Sequence, residues 1–310
     1  MSRPSGGTSA LPGTLITVAP TGAESAKADV PALPVTVEEV AATARDCQAV
    51  GASVVHLHVR GLNTRPTLDL GRVREVVAAV RDSSDLVVQL SSGGAVTDPH
   101  ADRLAVLDAG PDAAPLSLGT VNSGRDVFSN PWDLIVELHT RMQERGIVPE
   151  YEAFDLGHLA TLTRLLDRHG LPHGGHVHVD LVMGVPGGMP GTAQALAACL
   201  PFLPPGCTFA ATGVGRTSLP VLLTALAAGG HLRVGMEDTL TYAPGEPVRD
   251  NVQLVARAAG LARLAQRPAL SPDQARELLG ISPAPTAAQT TAPTAAPTAA
   301  QTAAPMEAPR

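Results

Sequence analysis

Aromatic side chains are almost missing from this chain. Phe, Tyr and Trp together make up 2% of its 310 residues, which argues against the stacking platforms that hold single-stranded nucleic acid. Positive charge is also scarce. The formal net charge is −7 and no long basic run occurs, so neither nucleic acid nor an anionic membrane surface is an expected partner. Cysteine is sparse and follows no pairing pattern. Cys47, Cys199 and Cys207 are odd in number and form no CxxC pair, so they are expected to be buried thiols in a reducing cytoplasm. No stretch approaches the ~20 uninterrupted apolar residues of a membrane span. The opening MSRPSGGTSALPG lacks the apolar core of a secretory leader.

What is abundant is aliphatic. Hydrophobic residues make up 44% of the chain, and with so few rings the core must be built from Val, Leu, Ile and Ala, which suits a buried parallel sheet. Two segments stand apart. Residues 1–12 are Ser/Gly/Pro-rich, and 283–310 repeat Ala, Pro, Thr and Gln. Both are expected to be flexible, the second a disordered tail with nothing large to bury.

Between them, short aliphatic strands alternate with amphipathic helices. Strands are expected at Leu15–Ala19, Ser53–Val59, Leu86–Leu90, Ala113–Leu118, Val148–Phe154, His176–Met183, Thr208–Thr212 and His231–Met236. Helices are expected from Val37, where Thr36 and Glu39 form a capping box, at Leu70–Val80, from Pro131, and a last one from Asn251. Eight β/α units imply a parallel sheet with right-handed crossovers. An open doubly wound sheet is the rival, but PTGAES follows the first strand where a dinucleotide fold would carry GxGxxG. The reading is a single-domain (β/α)8 TIM barrel over residues 13–282, of about the usual size of roughly 250 residues.

Chemistry in such a barrel sits at the carboxyl ends of the strands, and polar residues cluster there. In strand order they are Glu24; His56, His58 and Arg60; Ser91 and Ser92; Thr120 and Asn122; Glu150, Glu152 and Asp155; His176, His178 and Asp180; Arg216; and Arg233, Glu237 and Asp238. His56 and His58 are two apart on a strand, so both imidazoles face the same way while Val55, Leu57 and Val59 face the helices. His176 and His178 form a competing pair. The eighth strand closes the barrel beside the first two, so Glu237 can approach His56 and His58. Two His and one carboxylate leave a coordination position open, as in catalytic zinc sites. Asp238, near a guanidinium at Arg233, is a candidate general base.

The segments ITVAPTGAE, GASVVHLHVR, PEYEAFD, TGVGR and GGHLRVGMED together resemble the β-keto acid cleavage enzymes, the family that includes the 3-keto-5-aminohexanoate cleavage enzyme. The resemblance runs from Thr14 to Ile281. It implies a zinc-containing barrel, usually tetrameric, that exchanges a β-keto acid with acetyl-CoA to give a new acyl-CoA and acetoacetate. By resemblance, zinc is held by His56, His58 and Glu237, Asp238 is the acid/base group, and Arg233 is its partner. Ser91 and Thr120 would hold the carboxylate and keto end of the substrate, with Asn122 beside them. Glu24 falls near the variable end of the substrate and Glu152 lines the pocket. Two loops depart from the family pattern, GLNTRPT after Arg60 and NSG at Asn122, which leaves the acyl group open. Carboxylates at Glu24 and Glu152 would suit an ammonium-bearing acid. The rivals are a zinc amidohydrolase, which also opens on HxH, and a zinc-binding barrel without catalysis.

Overall fold

The computed structural model describes residues 13–281. The two segments expected to be flexible, 1–12 and 283–310, lie outside the described residues.

Eight parallel strands close into a barrel. They are β1 (Ile16–Val18), β2 (Val54–Leu57), β3 (Val87–Leu90), β4 (Ala113–Ser117), β5 (Val148–Ala153), β6 (His178–Met183), β7 (Thr208–Gly213) and β8 (His231–Val234). Each pairs with its sequence neighbour, and β8 pairs with β1, Thr17 opposite Arg233. Nine helices accompany them among the described residues: α1 (Val37–Ala49), α2 (Leu70–Ser83), α3 (His100–Ala105), α4 (Trp132–Arg145), α5 (Leu156–His169), α6 (Ala193–Cys199), α7 (Ser218–Ala227), α8 (Asn251–Leu264) and α9 (Pro272–Leu279). The capping box expected at α1 is present, with the Thr36 side chain accepting from the Glu39 amide and Glu39 from the Thr36 amide.

Alternation divides the core in two. Val55, Leu57 and Val59 join Val73, Val76 and Val77 of α2 in a large apolar layer between strands and helices. Inside, the lower end of the barrel is filled by Leu15, Val54, Val87, Ala113 and Val148, and α9 closes it with Ala275 and Leu279.

The structure adds elements beyond the expected eight units. Helix α9 follows α8, opened by a capping box of Ser271 and Gln274. Antiparallel hairpins follow β4 (Val121–Ser123 with Asp126–Phe128) and β8 (Thr241–Ala243 with Glu246–Pro247). Several strands are shorter than the aliphatic runs suggested. β2 ends at Leu57, so His58 lies just past it, and β6 begins at His178 rather than His176, after Gly174 and Gly175 turn the chain through positive φ. Cys47 and Cys199 are buried and Cys207 is half-buried, all three as free thiols. No helix among the described residues is long and apolar enough to cross a membrane.

Candidate active site

The carboxyl ends of the strands open into a cavity of about 390 Å³. Its polar wall is built by β2, β3 and β8. His56 leaves β2 pointing inward, opposite Gln89 of β3 in register. Gln89 Oε1 lies 2.6 Å from His56 Nδ1. An amide oxygen can only accept, so Nδ1 carries the proton and the Nε2 lone pair is left facing the cavity. Burial holds both imidazoles below their usual range, His56 down to about 3. Both are therefore neutral, the state in which a histidine can bind a metal.

The third donor arrives by way of glycine. β8 stops at Val234, and a Cβ on Gly235 would run into the Ala19 carbonyl oxygen. Only glycine lets the β8 and β1 loops press this close. The Glu237 amide then donates to that carbonyl at 3.2 Å. Glu237 Oε1 lies 3.8 Å from His56 Nε2 and 3.6 Å from His58 Nε2. Two donors on one tetrahedral ion, each about 2.0–2.1 Å from it, lie roughly 3.3 Å apart, so a small contraction would close the set. The three donor atoms lie within 4.8 Å of one another. Glu237 Oε2 is buried without a hydrogen-bond partner. Burial, the largest single influence, would raise this carboxyl, but the groups around it, Arg233 foremost, together outweigh burial and hold it down to about 2. Two neutral imidazoles, one ionised carboxylate and an unsatisfied buried oxygen fit a divalent cation of the zinc type.

Arg233 is the hub of the carboxylates. It donates to both oxygens of Asp238 at 3.2 and 3.1 Å, to Glu237 Oε1 at 2.5 Å and to Glu152 Oε1 at 3.4 Å. Burial works against its charge, but the three carboxylates outweigh it and keep the guanidinium protonated. Burial pushes the Asp238 carboxyl up to about 6, against the pull of Arg233. Glu152 is committed twice, since Ser117 also donates to it at 2.8 Å.

Other residues from the sequence take varied places. Ser91 lines the cavity, and its Oγ accepts from the amides of Gly93 and Gly94, so its own O–H remains to donate. Ser92 turns away to the Pro115 carbonyl. Glu24 sits exposed at the rim, on the same side as His58 and Glu237. Arg60 holds that loop through the carbonyls of Gly22 and Ser25. Thr120 and Asn122 depart from expectation, for neither is among the residues lining the cavity. Both are exposed, and the Thr120 hydroxyl accepts from the Asn130 amide. Asp155 caps α5 through the amides of Gly157 and His158. Arg216 is exposed and outside the cavity.

The competing pair lies deep. His178 is buried opposite Thr208 in register, and the Thr208 hydroxyl sits between His178 Nδ1 (2.7 Å) and His176 Nε2 (2.8 Å). Glu150 is 3.5 Å from His178 Nε2. Asp180 takes a 2.6 Å hydrogen bond from Thr212. These form a buried polar layer beneath the cavity.

Sequence reasoning missed Gln89 and Arg103. Gln89 was within reach, since it is two residues before Ser91 and so shares its inward parity. Arg103 carried no such signal. It donates to Ser92 O, Ser129 O and Asn130 Oδ1 and lies over the Phe128 ring, tying the β3 loop to the β4 hairpin.

Residues 14–281 match the model of the β-keto acid cleavage enzyme family. The 3-keto-5-aminohexanoate cleavage enzyme of Acetoanaerobium sticklandii is 36% identical over 274 residues, which cover 86% of this chain and 98% of that protein. The 3-oxoadipate:acetyl-CoA acetyltransferase of Cupriavidus necator is 34% identical over 271 residues, covering 86% and 94%. Among solved structures, the ternary complex of ObcA with a C4-CoA adduct and oxalate superposes with a TM-score of 0.69 at 21% identity, over 81% of this chain and 68% of that one. That likeness is one of fold.

Proposed function

The chain belongs to the β-keto acid cleavage enzyme family, and from that premise we propose that it exchanges a β-keto acid with acetyl-CoA, yielding a new acyl-CoA and acetoacetate, with zinc held by His56, His58 and Glu237. The observation that carries this reading is the convergence of two neutral imidazoles, an ionised Glu237 and the Arg233–Asp238 pair on one cavity. A single catalytic unit over 13–282, working as a cytoplasmic homotetramer, completes the proposal by family resemblance.

Zinc bound there supplies Lewis acidity, which lowers the cost of negative charge on the keto oxygen of the substrate. Asp238 removes a proton from the carbon between the keto and carboxylate groups; its raised affinity for that proton suits a base working near neutral pH. Arg233 grips both oxygens of Asp238 and fixes its direction. Ser91 donates its O–H to the substrate carboxylate. The carbanion attacks the acetyl carbonyl carbon, a C–C bond forms, and CoA leaves as thiolate. The thiolate attacks the original keto carbon. The older C–C bond then breaks, giving the new thioester and the acetoacetate carbanion, to which Asp238 returns its proton. Atoms and electrons balance with no oxidant or reductant.

The test is isotopic. With zinc-loaded protein and acetyl-CoA labelled with carbon-13 in the acetyl group, the label is expected in acetoacetate and not in the new acyl-CoA. Label released as free acetate would mean hydrolysis and end the exchange reading. Asp238→Asn should retain zinc and lose about 10²–10⁴-fold in kcat; full turnover would remove Asp238 from the role of base.

A further inference from the structure

The cavity has two unlike walls. The metal-ligating and acid/base groups come from β2 and β8. The opposite wall comes from the ends of β4 to β7: Val121 and Phe128 of the β4 hairpin, Phe154 after β5, Val182 of β6 and Val185 just after it, and Val214 after β7. The chain has only four Phe, and two of them meet here edge to face, ring centroids 6.4 Å apart. In so aromatic-poor a protein, that placement concentrates the largest apolar surfaces in one spot.

Charge is distributed just as unevenly. Among the described residues the cavity is lined by four carboxylates, Glu24, Glu152, Glu237 and Asp238, and by one permanently charged cation, Arg233. That guanidinium is shared among Asp238, Glu237 and Glu152. Among the described residues that line the cavity, no further permanent cation stands free to pair with a second carboxylate on a substrate. Glu152, expected to face an ammonium group, is tied to Arg233 and Ser117 instead. Glu24 sits at the rim on the metal-ligand side, across from the apolar wall. A charged end of the substrate on that wall would lose water and gain no partner.

Resting on the exchange reaction proposed above, we infer that the transferred acyl group is uncharged and apolar, and that Phe154, Phe128 and Val185 select it. Relatives named for a cationic and for a dianionic keto acid thus share the reaction without fixing the acyl group of this chain.

The experiment is a competition. Zinc-loaded protein with acetyl-CoA is given 3-oxohexanoate, 5-amino-3-oxohexanoate and 3-oxoadipate, and acyl-CoA products are followed by mass spectrometry. The apolar acid is expected to lead in kcat/KM by tenfold or more. A lead for the cationic or dianionic acid overturns the inference and leaves the reaction intact. No acyl-CoA from any of them overturns the proposed function, and the inference with it. Phe154→Ala should lower kcat/KM for 3-oxohexanoate about 10–200-fold with zinc content and the KM for acetyl-CoA unchanged. A raised KM for acetyl-CoA with selectivity unchanged would mean that the wall holds the CoA arm, and would overturn the inference. Val185→Lys, on a half-buried loop position, should raise turnover of 3-oxoadipate about tenfold by giving it the missing partner; no gain counts against the assignment of this wall.

Discussion

At the residue scale, the state of His56 depends on one neighbour. Gln89 Oε1, 2.6 Å from Nδ1, settles which nitrogen carries the proton and aims the other at Glu237. Partners of this kind are worth about 10–100-fold in metal affinity. Gln89→Leu should therefore weaken zinc binding by that factor, read by chelator competition, while the barrel stays folded by circular dichroism. Unchanged affinity would mean that packing alone orients the ring. Gly235 is a second point of this kind. A methyl group there would meet the Ala19 carbonyl, so Gly235→Ala should displace Glu237 and lower zinc affinity. Gln89 lies outside the HLHVR and RVGMED segments, and Gly235, though part of the second, shows its reason only where it meets the Ala19 carbonyl.

At the scale of elements, helix α9 is the floor of the barrel. Leu279 and Ala275 pack against Leu15, Val54, Val87, Ala113 and Val148. This layer seals the end of the barrel away from the cavity. Leu279→Ala should destabilise the fold by about 2–5 kcal/mol, measured by denaturant unfolding, with zinc affinity unchanged in the folded fraction. A loss under ~1 kcal/mol would show that the floor relaxes around the gap. The signals for α9 lie in plain sequence, since Ser271-Pro-Asp-Gln is a strong helix start. A reading organised by β/α units ends with the eighth and has no slot for it. The hairpin after β4 was similarly unmarked by alternation, and it brings Val121 and Phe128 to the cavity.

For the whole molecule, the unusual feature is the charge buried under the site. Burial pushes the Glu150 carboxyl from its ordinary 4.5 up to about 7, and Asp180 is also held well above the carboxylate range by burial and by Glu150. Between about 4.5 and about 7 the folded state keeps a proton on Glu150 that the unfolded chain has released. The unfolded state then binds fewer protons, so this contribution to stability is full below 4.5 and is lost as pH rises through 7. Glu150→Gln imitates the protonated form at every pH. It should therefore gain stability relative to the unaltered protein as pH rises through this window, measured as unfolding midpoints at about pH 5 and about pH 8. A difference independent of pH would mean that Glu150 is ionised in the fold throughout.

Sequence alone determined the alternation that closes the barrel, the shared face of His56 and His58, and the family, because these depend on local period and on motifs. It preferred His56 and His58 to His176 and His178 because the eighth strand closes beside the first two, and because the family resemblance places zinc there. Counted around the ring, β2 and β6 are each two strands from β8, so proximity to Glu237 does not separate them. Stagger does. Arg233 is level with Thr17, and Thr17 with Val54, so His56 and His58 stand two and four residues above that level. On the other side Arg233 is level with Thr212, and Thr212 with Val182, which puts His178 four residues below it. The shear of a closed barrel sets these heights. It belongs to the register of all eight strands together, and so only the tertiary structure shows which pair stands level with Glu237.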